Sequence, residues 1–300
     1  MKVLITGATG LIGSEVVSQC LDEGVSIHYL TTRKEKIKTD SNYKGFYWDL
    51  EDGEIDLNAF EGVNTIIHLA GATVSKRWTA SHKKEILNSR IQSADLLYKS
   101  LQNLNHSVAH FITASGIGIY PSSESKLFTE ENEEVGLNFL SKVVAAWEKA
   151  ANQFRNLGMD VAYVRTGMVL SAKGGALPKL ANIVRMGLGA PLGNGNQWQS
   201  WIHLEDIGRI YLFILKNEIE GVYNGVAPGP VTNLKLTKDI ASHVRAPFWL
   251  PKVPSFVLKL MLGEMAALVL EGQLVSSKKL EEQGFIFRYS NLESALKNLL

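Results

Sequence analysis

Apolar and polar positions follow two rhythms along the first half of the chain. Short, nearly continuous apolar runs rich in β-branched residues occur at Val3–Thr6, Ser26–Leu30, Phe46–Trp48, Thr65–Leu69, Phe111–Ala114 and Val161–Val164. Between them, apolar residues recur every third and fourth position over Leu11–Leu21, Ser81–Leu101 and Leu137–Leu157, which predicts amphipathic helices. Strands apolar on both faces, alternating with helices, predict an α/β fold with a doubly wound parallel sheet covered on both sides. The rhythm changes after Arg165. Residues 174–195 hold six glycines, a density that predicts a mobile cover over a site rather than a packed layer. From about Pro247 the texture is helix-rich again. The expected organisation is therefore a first domain over 1–220 and a small C-terminal domain over 247–297.

Composition narrows the class. With 300 residues, 45% apolar and 20% charged, the chain can bury a full core. A net charge of +1 leaves no electrostatic footprint for nucleic acid. The single cysteine, Cys20, cannot form an internal disulfide, and no Cys/His cluster has the spacing of a metal site. The chain opens directly on strand-like residues, and its longest apolar stretch, 253–272, is interrupted by Lys259, Gly263 and Glu264. Neither a secretory signal nor a membrane span is expected, and the chain reads as soluble and cytoplasmic.

The chemistry begins at "MKVLITGATGLIGSEVV". Gly7 permits a tight turn out of the first strand, Gly10 lets backbone N–H groups approach a pyrophosphate, and Gly13 lets the helix lie close to the sheet. Strand, glycine turn and helix together predict a Rossmann-type dinucleotide site formed by Gly7, Thr9, Gly10, Leu11, Ile12 and Gly13. An NAD site expects a carboxylate about 20 residues further on, to bond the ribose 2′-hydroxyl. Here "SIHYLTTRKEKIK" places Arg33 and Lys34 after the second strand with no acid before them. A guanidinium suits a 2′-phosphate, so NADP(H) is the expected cofactor; the alternative is a solvated basic face. Asp49 and Leu50 end the third strand where an adenine edge would lie. Leu69, Ala70 and Gly71 end the fourth, small enough at the last two positions for a cofactor to lie against backbone. Plain strand-end packing remains the other reading of both segments.

GATGLIG (7–13), HLAGA (68–72), TASGIGIY (113–120), RTGMVL (165–170) and WIHLEDI (201–207) resemble the extended and atypical short-chain dehydrogenase/reductases. SRIQSA (89–94), WEKAA (147–151), GLGAPLGNGNQWQSWIH (187–203), NGVAP (224–228) and LEGQ (270–273) are more similar still to the branch called epimerase family proteins. The resemblance spans nearly the whole chain, and it implies NADP(H) binding, with the tail as that branch's small C-terminal domain. Arg90, mid-helix among polar residues, is expected to contact cofactor or substrate, with a surface salt bridge as the alternative, and Arg165 is expected to contact the cofactor.

One part of the family pattern is missing. Such enzymes use a Tyr-x-x-x-Lys pair, in which the lysine lowers the phenol pKa for proton exchange. None of the nine tyrosines here has a lysine four residues later. In "GLNFLSKVVAAWEKAA" the expected positions hold Phe139/Val143 or Leu140/Val144, depending on register. Ser115 is retained as a candidate to polarise a substrate oxygen, with Tyr120 as a substitute acid; backbone satisfaction and packing are their plain alternatives. Trp198, Trp201 and His203 offer two indoles and an imidazole for a substrate pocket, with ordinary core packing the alternative for either indole and a local structural contact for His203. The reading is an NADP(H)-dependent oxidoreductase or epimerase-like enzyme acting on a small carbonyl or hydroxyl compound. The alternative is a non-catalytic sensor of the reduced cofactor. A homodimer is left open.

Overall fold

A computed structural model describes residues 1–300. The first half runs β1 (Lys2–Thr6), α1 (Leu11–Asp22), β2 (Ser26–Thr31), β3 (Thr39–Asp40), β4 (Tyr43–Asp49), β5 (Glu54–Ile55), β6 (Thr65–His68), α2 (Ala80–Gln102), β7 (His110–Gly116), β8 (Leu127–Phe128) and α3 (Phe139–Asn152). It continues through β9 (Asp160–Thr166), β10 (Met168–Leu170), α4 (Ala176–Ile183), β11 (Trp198–Gln199), β12 (Trp201–His203), α5 (Leu204–Asn217), β13 (Gly221–Gly225), β14 (Val231–Thr232) and α6 (Asn233–His243). The C-terminal stretch adds α7 (Ser255–Leu262), α8 (Ala267–Leu270), β15 (Leu274–Val275), α9 (Lys278–Glu282) and α10 (Leu292–Leu299).

The six strands and three helices expected from the periodicity are present, with ends shifted by a few residues for local reasons. Helix α3 starts at Phe139 rather than Leu137 because Asn138 caps it, its side chain accepting the Ser141 N–H at 2.8 Å. The main sheet has the order β13-β9-β7-β6-β1-β2-β4-β3, with parallel pairing throughout from β13 to β4. The chain leaves β1 in one direction to β2 and β4, and in the other to β6, β7, β9 and β13. That reversal opens a crevice at the carboxyl ends of β1 and β6, where doubly wound sheets bind their ligands. The largest apolar cluster packs α1 and α5 against one face, and a second packs α2 and α3 against the other.

One expectation changes here. The glycine-rich stretch is folded: α4 is followed by a wide turn at Val184–Leu188, and left-handed Gly187, Gly193 and Gly195 serve turns. Gly193 N–H donates to Val253 O at 2.9 Å, and Leu234 N–H donates to Gly195 O at 2.9 Å. The glycines answer turn geometry, where composition alone suggested a loose cover. The C-terminal stretch, in turn, is stitched to the first part. Strand β15 pairs with β8, Leu192 bridges to Val253, and Gly272 lies so close to Trp198 that a Cβ would sit 2.3 Å from its carbonyl oxygen.

A buried polar chain holds the crevice in shape. The N–H groups of Leu69 and Ala70 donate to Thr6 Oγ1 at 3.2 and 3.1 Å, so the Thr6 hydroxyl proton is directed to His68 Nδ1 at 2.8 Å. His68 then carries its proton on Nε2 and donates to Ser93 Oγ at 3.2 Å, and Ser93 donates to Arg90 O. Every member requires a neutral imidazole. Burial pushes the His68 pKa down to about 3, and the Arg90 cation acts in the same direction.

The folded-state pKa thus lies below the unfolded value of 6.5. Stability is full above 6.5 and falls as pH drops toward 3, at about 1.4 kcal/mol per pH unit from this residue. His28, His110 and His203 are lowered by burial too and steepen the fall. Urea denaturation between about pH 7 and 5 should show this loss, and His68→Asn should start less stable with a flatter profile. An equal slope in that variant would contradict the assignment.

Candidate functional site

The turn between β1 and α1 is defined by contacts that only glycine allows. Gly7 has φ +70°, and a Cβ there would lie 2.8 Å from the Leu69 carbonyl; at Gly13 a Cβ would lie 2.1 Å from Gly7 O. Gly10 N–H closes the turn onto Gly7 O at 2.9 Å. No side chain caps α1, and no acid occupies its first turn. Ser14 is the first residue to bond back, to Gly10 O, which leaves the N–H groups of Leu11, Ile12 and Gly13 without a backbone acceptor. Thr9 and Gly10 are exposed beside them. Free N–H groups and the positive end of the helix dipole make an anion cradle.

Beside the cradle, Arg33 and Lys34 are exposed at the end of β2, and neither forms an ion pair. Lys34 Nζ lies 4.6 Å from the Tyr47 ring centroid. Asp49 accepts the Glu51 N–H at 2.8 Å and the Tyr47 hydroxyl at 3.0 Å, which hold its carboxyl below the usual range. Leu50 is half-buried against the second apolar cluster.

On the other side of the cradle, Gly71 is packed beneath Arg90: a Cβ would meet Arg90 Cζ at 3.0 Å. Arg90 Nη1 donates to Ala72 O and Ile86 O at 3.1 and 2.8 Å, and its guanidinium lies 4.8 Å from the Trp147 ring centroid. No carboxylate pairs with it, and burial lowers its pKa to about 10. It is a cation with open donors and no counter-ion. The surface salt bridge weighed from the sequence does not form.

Ser115, Tyr120 and Arg165 come together, but inside the protein rather than at its open edge. Ser115 is 4% exposed and donates to Glu148 Oε1 at 2.6 Å. Arg165 grips the same carboxylate through Nε and Nη2, both at 2.8 Å, and donates from Nη1 to the Tyr120 hydroxyl at 2.9 Å. Tyr120 donates onward to Asn224 Oδ1 at 2.9 Å and is fully buried. Burial opposes the Arg165 charge, yet the doubly bonded Glu148 holds its pKa above the normal range. All three guanidinium nitrogens of Arg165 are engaged within this network. Tyr120 is likewise held, its pKa raised by burial. Glu148 and Asn224 were missed from sequence; both stand in quoted motifs, but nothing in one sequence pairs them with Arg165 or Tyr120.

Leu140 faces Gly118, and Val144 faces Gly116, 3.6 and 3.7 Å from where their Cβ atoms would be. Val143 instead packs behind, against Trp78 and Ile86. Both pairs, Phe139/Val143 and Leu140/Val144, are apolar.

The three residues expected to line a substrate pocket each have partners within the protein. Trp201 is fully buried in the main core and donates to Gly229 O at 2.8 Å. His203 caps α5, its Nδ1 accepting the Glu205 N–H at 3.1 Å while Nε2 donates to Asn298 Oδ1 at 3.1 Å, and it stacks on Tyr289. Burial lowers its pKa. Trp198 is half-buried and donates to Glu124 O at 2.8 Å. Of the three, His203 ties α5 to the C-terminal stretch, through Asn298 and Tyr289.

Removing Glu148 would strand a buried guanidinium, which typically costs about 3–5 kcal/mol. Glu148→Ala should therefore lose roughly that much stability in urea titration, while the variant that remains folded keeps its dinucleotide affinity. Unchanged stability with lost affinity would place Glu148 in the binding site instead.

Comparison with known proteins agrees with this geometry. The model of the NAD dependent epimerase/dehydratase family matches residues 3–225, and that of Domain of unknown function DUF1731 matches 253–299. Epimerase family protein SA0724 of Staphylococcus aureus is 36% identical, over 100% of this chain and 99% of its own length. Among solved structures, human epimerase family protein SDR39U1 with NADPH superposes with a TM-score of 0.85 at 26% identity, covering 100% of this chain and 99% of that one. The UDP-glucose 4-epimerase of Thermus thermophilus, in complex with NAD, shares the fold with a TM-score of 0.78 at 19% identity, covering 100% and 99%. No helix is long and apolar enough to cross a membrane. The chain belongs to the NAD dependent epimerase/dehydratase family, with the C-terminal domain of its epimerase family protein branch.

Proposed function

We propose that this protein binds NADP(H) along the carboxyl edge of the sheet and exchanges hydride with a small carbonyl or hydroxyl substrate in the cytoplasm. The observation that carries this reading is the arrangement of positive groups. Three free N–H groups of α1 lie between unpaired Arg33 and Lys34 on one side and unpaired Arg90 on the other. The cradle suits a pyrophosphate, and Arg33 with Lys34 suits a 2′-phosphate. The NADPH in the human relative supports the same choice. Bound NADP(H) would supply the hydride chemistry. The chain would hold the phosphates, orient the ring at the strand ends and exclude water. With Ser115 donating to Glu148 and Tyr120 sealed, the proton in this reading comes from water or the substrate.

A second reading, binding of NADPH without turnover to report the reduced cofactor to a partner, is favoured by that same engagement of Ser115 and Tyr120. The two readings separate on discrimination: a sensor must bind NADPH and NADP+ with clearly different affinities, an enzyme need not.

Charge-assisted contacts to a phosphate contribute about 1.5–3 kcal/mol. Calorimetry should therefore find NADPH bound about ten- to a hundredfold tighter than NADH, with Arg33→Ala erasing most of the difference. Equal affinities in the unaltered protein would refute the cofactor assignment.

A further inference from the structure

The edge where the nicotinamide half of the cofactor would lie has an unusual chemistry for this family. With the adenosine toward β2 and β4, the other half must cross the ends of β6, β7 and β9. What flanks the β7 end is Gly116, Ile117 and Gly118, facing Leu140 and Val144 of α3. Beyond them an apolar wall is assembled from three segments: Trp78 after β6, Phe139 and Leu140 at the start of α3, and Met265 and Leu268 of the C-terminal stretch. Trp78 and Phe139 meet edge to face at 5.1 Å. The charged pair at the rim, Lys83 and Glu264, is satisfied within itself at 2.5 Å. Lys83 Nζ also lies 4.9 Å from the Phe139 ring centroid, and Arg90, on the cradle side, can hold an anion but does not release a proton near neutrality.

An aliphatic ketone or a sugar carbon is a poor hydride acceptor in such surroundings, because the alkoxide formed is strongly basic and needs an acid at hand. A sugar nucleotide also needs several directed polar groups, and this wall offers none. We propose that the acceptor is an apolar, planar, conjugated molecule of the quinone class; this rests on the NADP(H) reading above. Hydride transfer breaks the C4–H bond of the reduced nicotinamide, leaving it oxidised, and forms an O–H bond at one quinone oxygen. The electron pair passes through the ring to the second oxygen, and the resulting hydroquinone anion takes its one remaining proton from water. No side chain has to give or accept a proton. Half-buried Phe139 and Leu140 and the edge of Trp78 supply the apolar face for the ring, and Gly116 and Gly118 let it approach the backbone.

The test uses binding as well as turnover. The complex with NADP+ is titrated with 2-methyl-1,4-naphthoquinone and, separately, with UDP-glucose, by calorimetry and by quenching of tryptophan fluorescence. The quinone should bind and UDP-glucose should not. Phe139→Asn and Met265→Asn, two independent changes at the wall, should each weaken the quinone by about tenfold or more while leaving NADP+ affinity unchanged. Oxidation of NADPH by the quinone should exceed that by an unconjugated aldehyde and stay flat from about pH 6 to 9, since no side chain supplies the proton. NADP+ binding without quinone binding, tighter binding of UDP-glucose, or a bell-shaped pH profile would overturn the quinone proposal alone. Failure to bind either NADP+ or NADPH would overturn the cofactor reading beneath it.

Discussion

The closest non-bonded constraint in the site is the approach of α1 to the turn that precedes it, where a carbon added at Gly13 would sit 2.1 Å from the Gly7 carbonyl oxygen. Much else depends on that approach. It brings the first turn of α1 over the end of β1 with its N–H groups uncovered, and Gly7 in turn is pressed against the Leu69 carbonyl at the end of β6. The two strands that border the crevice are therefore locked to each other through backbone. The Thr6 hydroxyl completes the lock by accepting the N–H groups of Leu69 and Ala70, just past β6, and directing its own proton to His68. A helix start left uncapped in a tightly built turn is stabilised by what binds there, because an anion satisfies groups that the chain itself does not.

The polar residues near the sheet's carboxyl edge divide into two sets with different work. Ser115, Glu148, Arg165, Tyr120 and Asn224 form one buried network in which each hydroxyl proton has a single destination. It joins β7, α3, β9 and β13 beneath the crevice, and through Asn224 Nδ2 to Ser276 O it reaches the C-terminal stretch. Such a network fixes geometry, and removing one member leaves a charge without compensation. The second set, Arg33, Lys34 and Arg90, has no carboxylate partners and borders the cradle. Between the two sets the edge itself is apolar, which is why the chemistry inferred for it asks little of the protein as an acid or base.

Much of the fold was legible in the sequence because strands buried on both faces and helices with one apolar stripe leave periodic signatures. The glycine turn was legible because its spacing meets a steric demand that no other residue satisfies. The limits were equally physical. The partners of Arg165 and Trp201, Glu148 and the Gly229 carbonyl, were not legible, because chemistry-bearing types near a strand end look alike whether they face a crevice or a helix. Only the strand's pleat and the position of Glu148 on α3 turn Arg165 inward. The glycines of 174–195 read as mobility, since composition does not reveal that Gly193 and Gly195 occupy left-handed turns tied to Val253 and Leu234. Glu148 was invisible as a partner because it lies 33 residues from Ser115 and 17 from Arg165. Nor does a helix's periodicity determine which of Leu140 and Phe139 faces the strand end.

The central claim is that the carboxyl edge of the sheet is a dinucleotide site whose reactive half meets an apolar wall. It is tested most directly by a crystal structure of the protein grown with NADPH. The account predicts the pyrophosphate on the N–H groups of Leu11, Ile12 and Gly13, the 2′-phosphate beside Arg33 and Lys34, and the nicotinamide against Gly116 and Gly118, facing Leu140. A nicotinamide directed away from that wall, or a pyrophosphate bound anywhere but the start of α1, would contradict it.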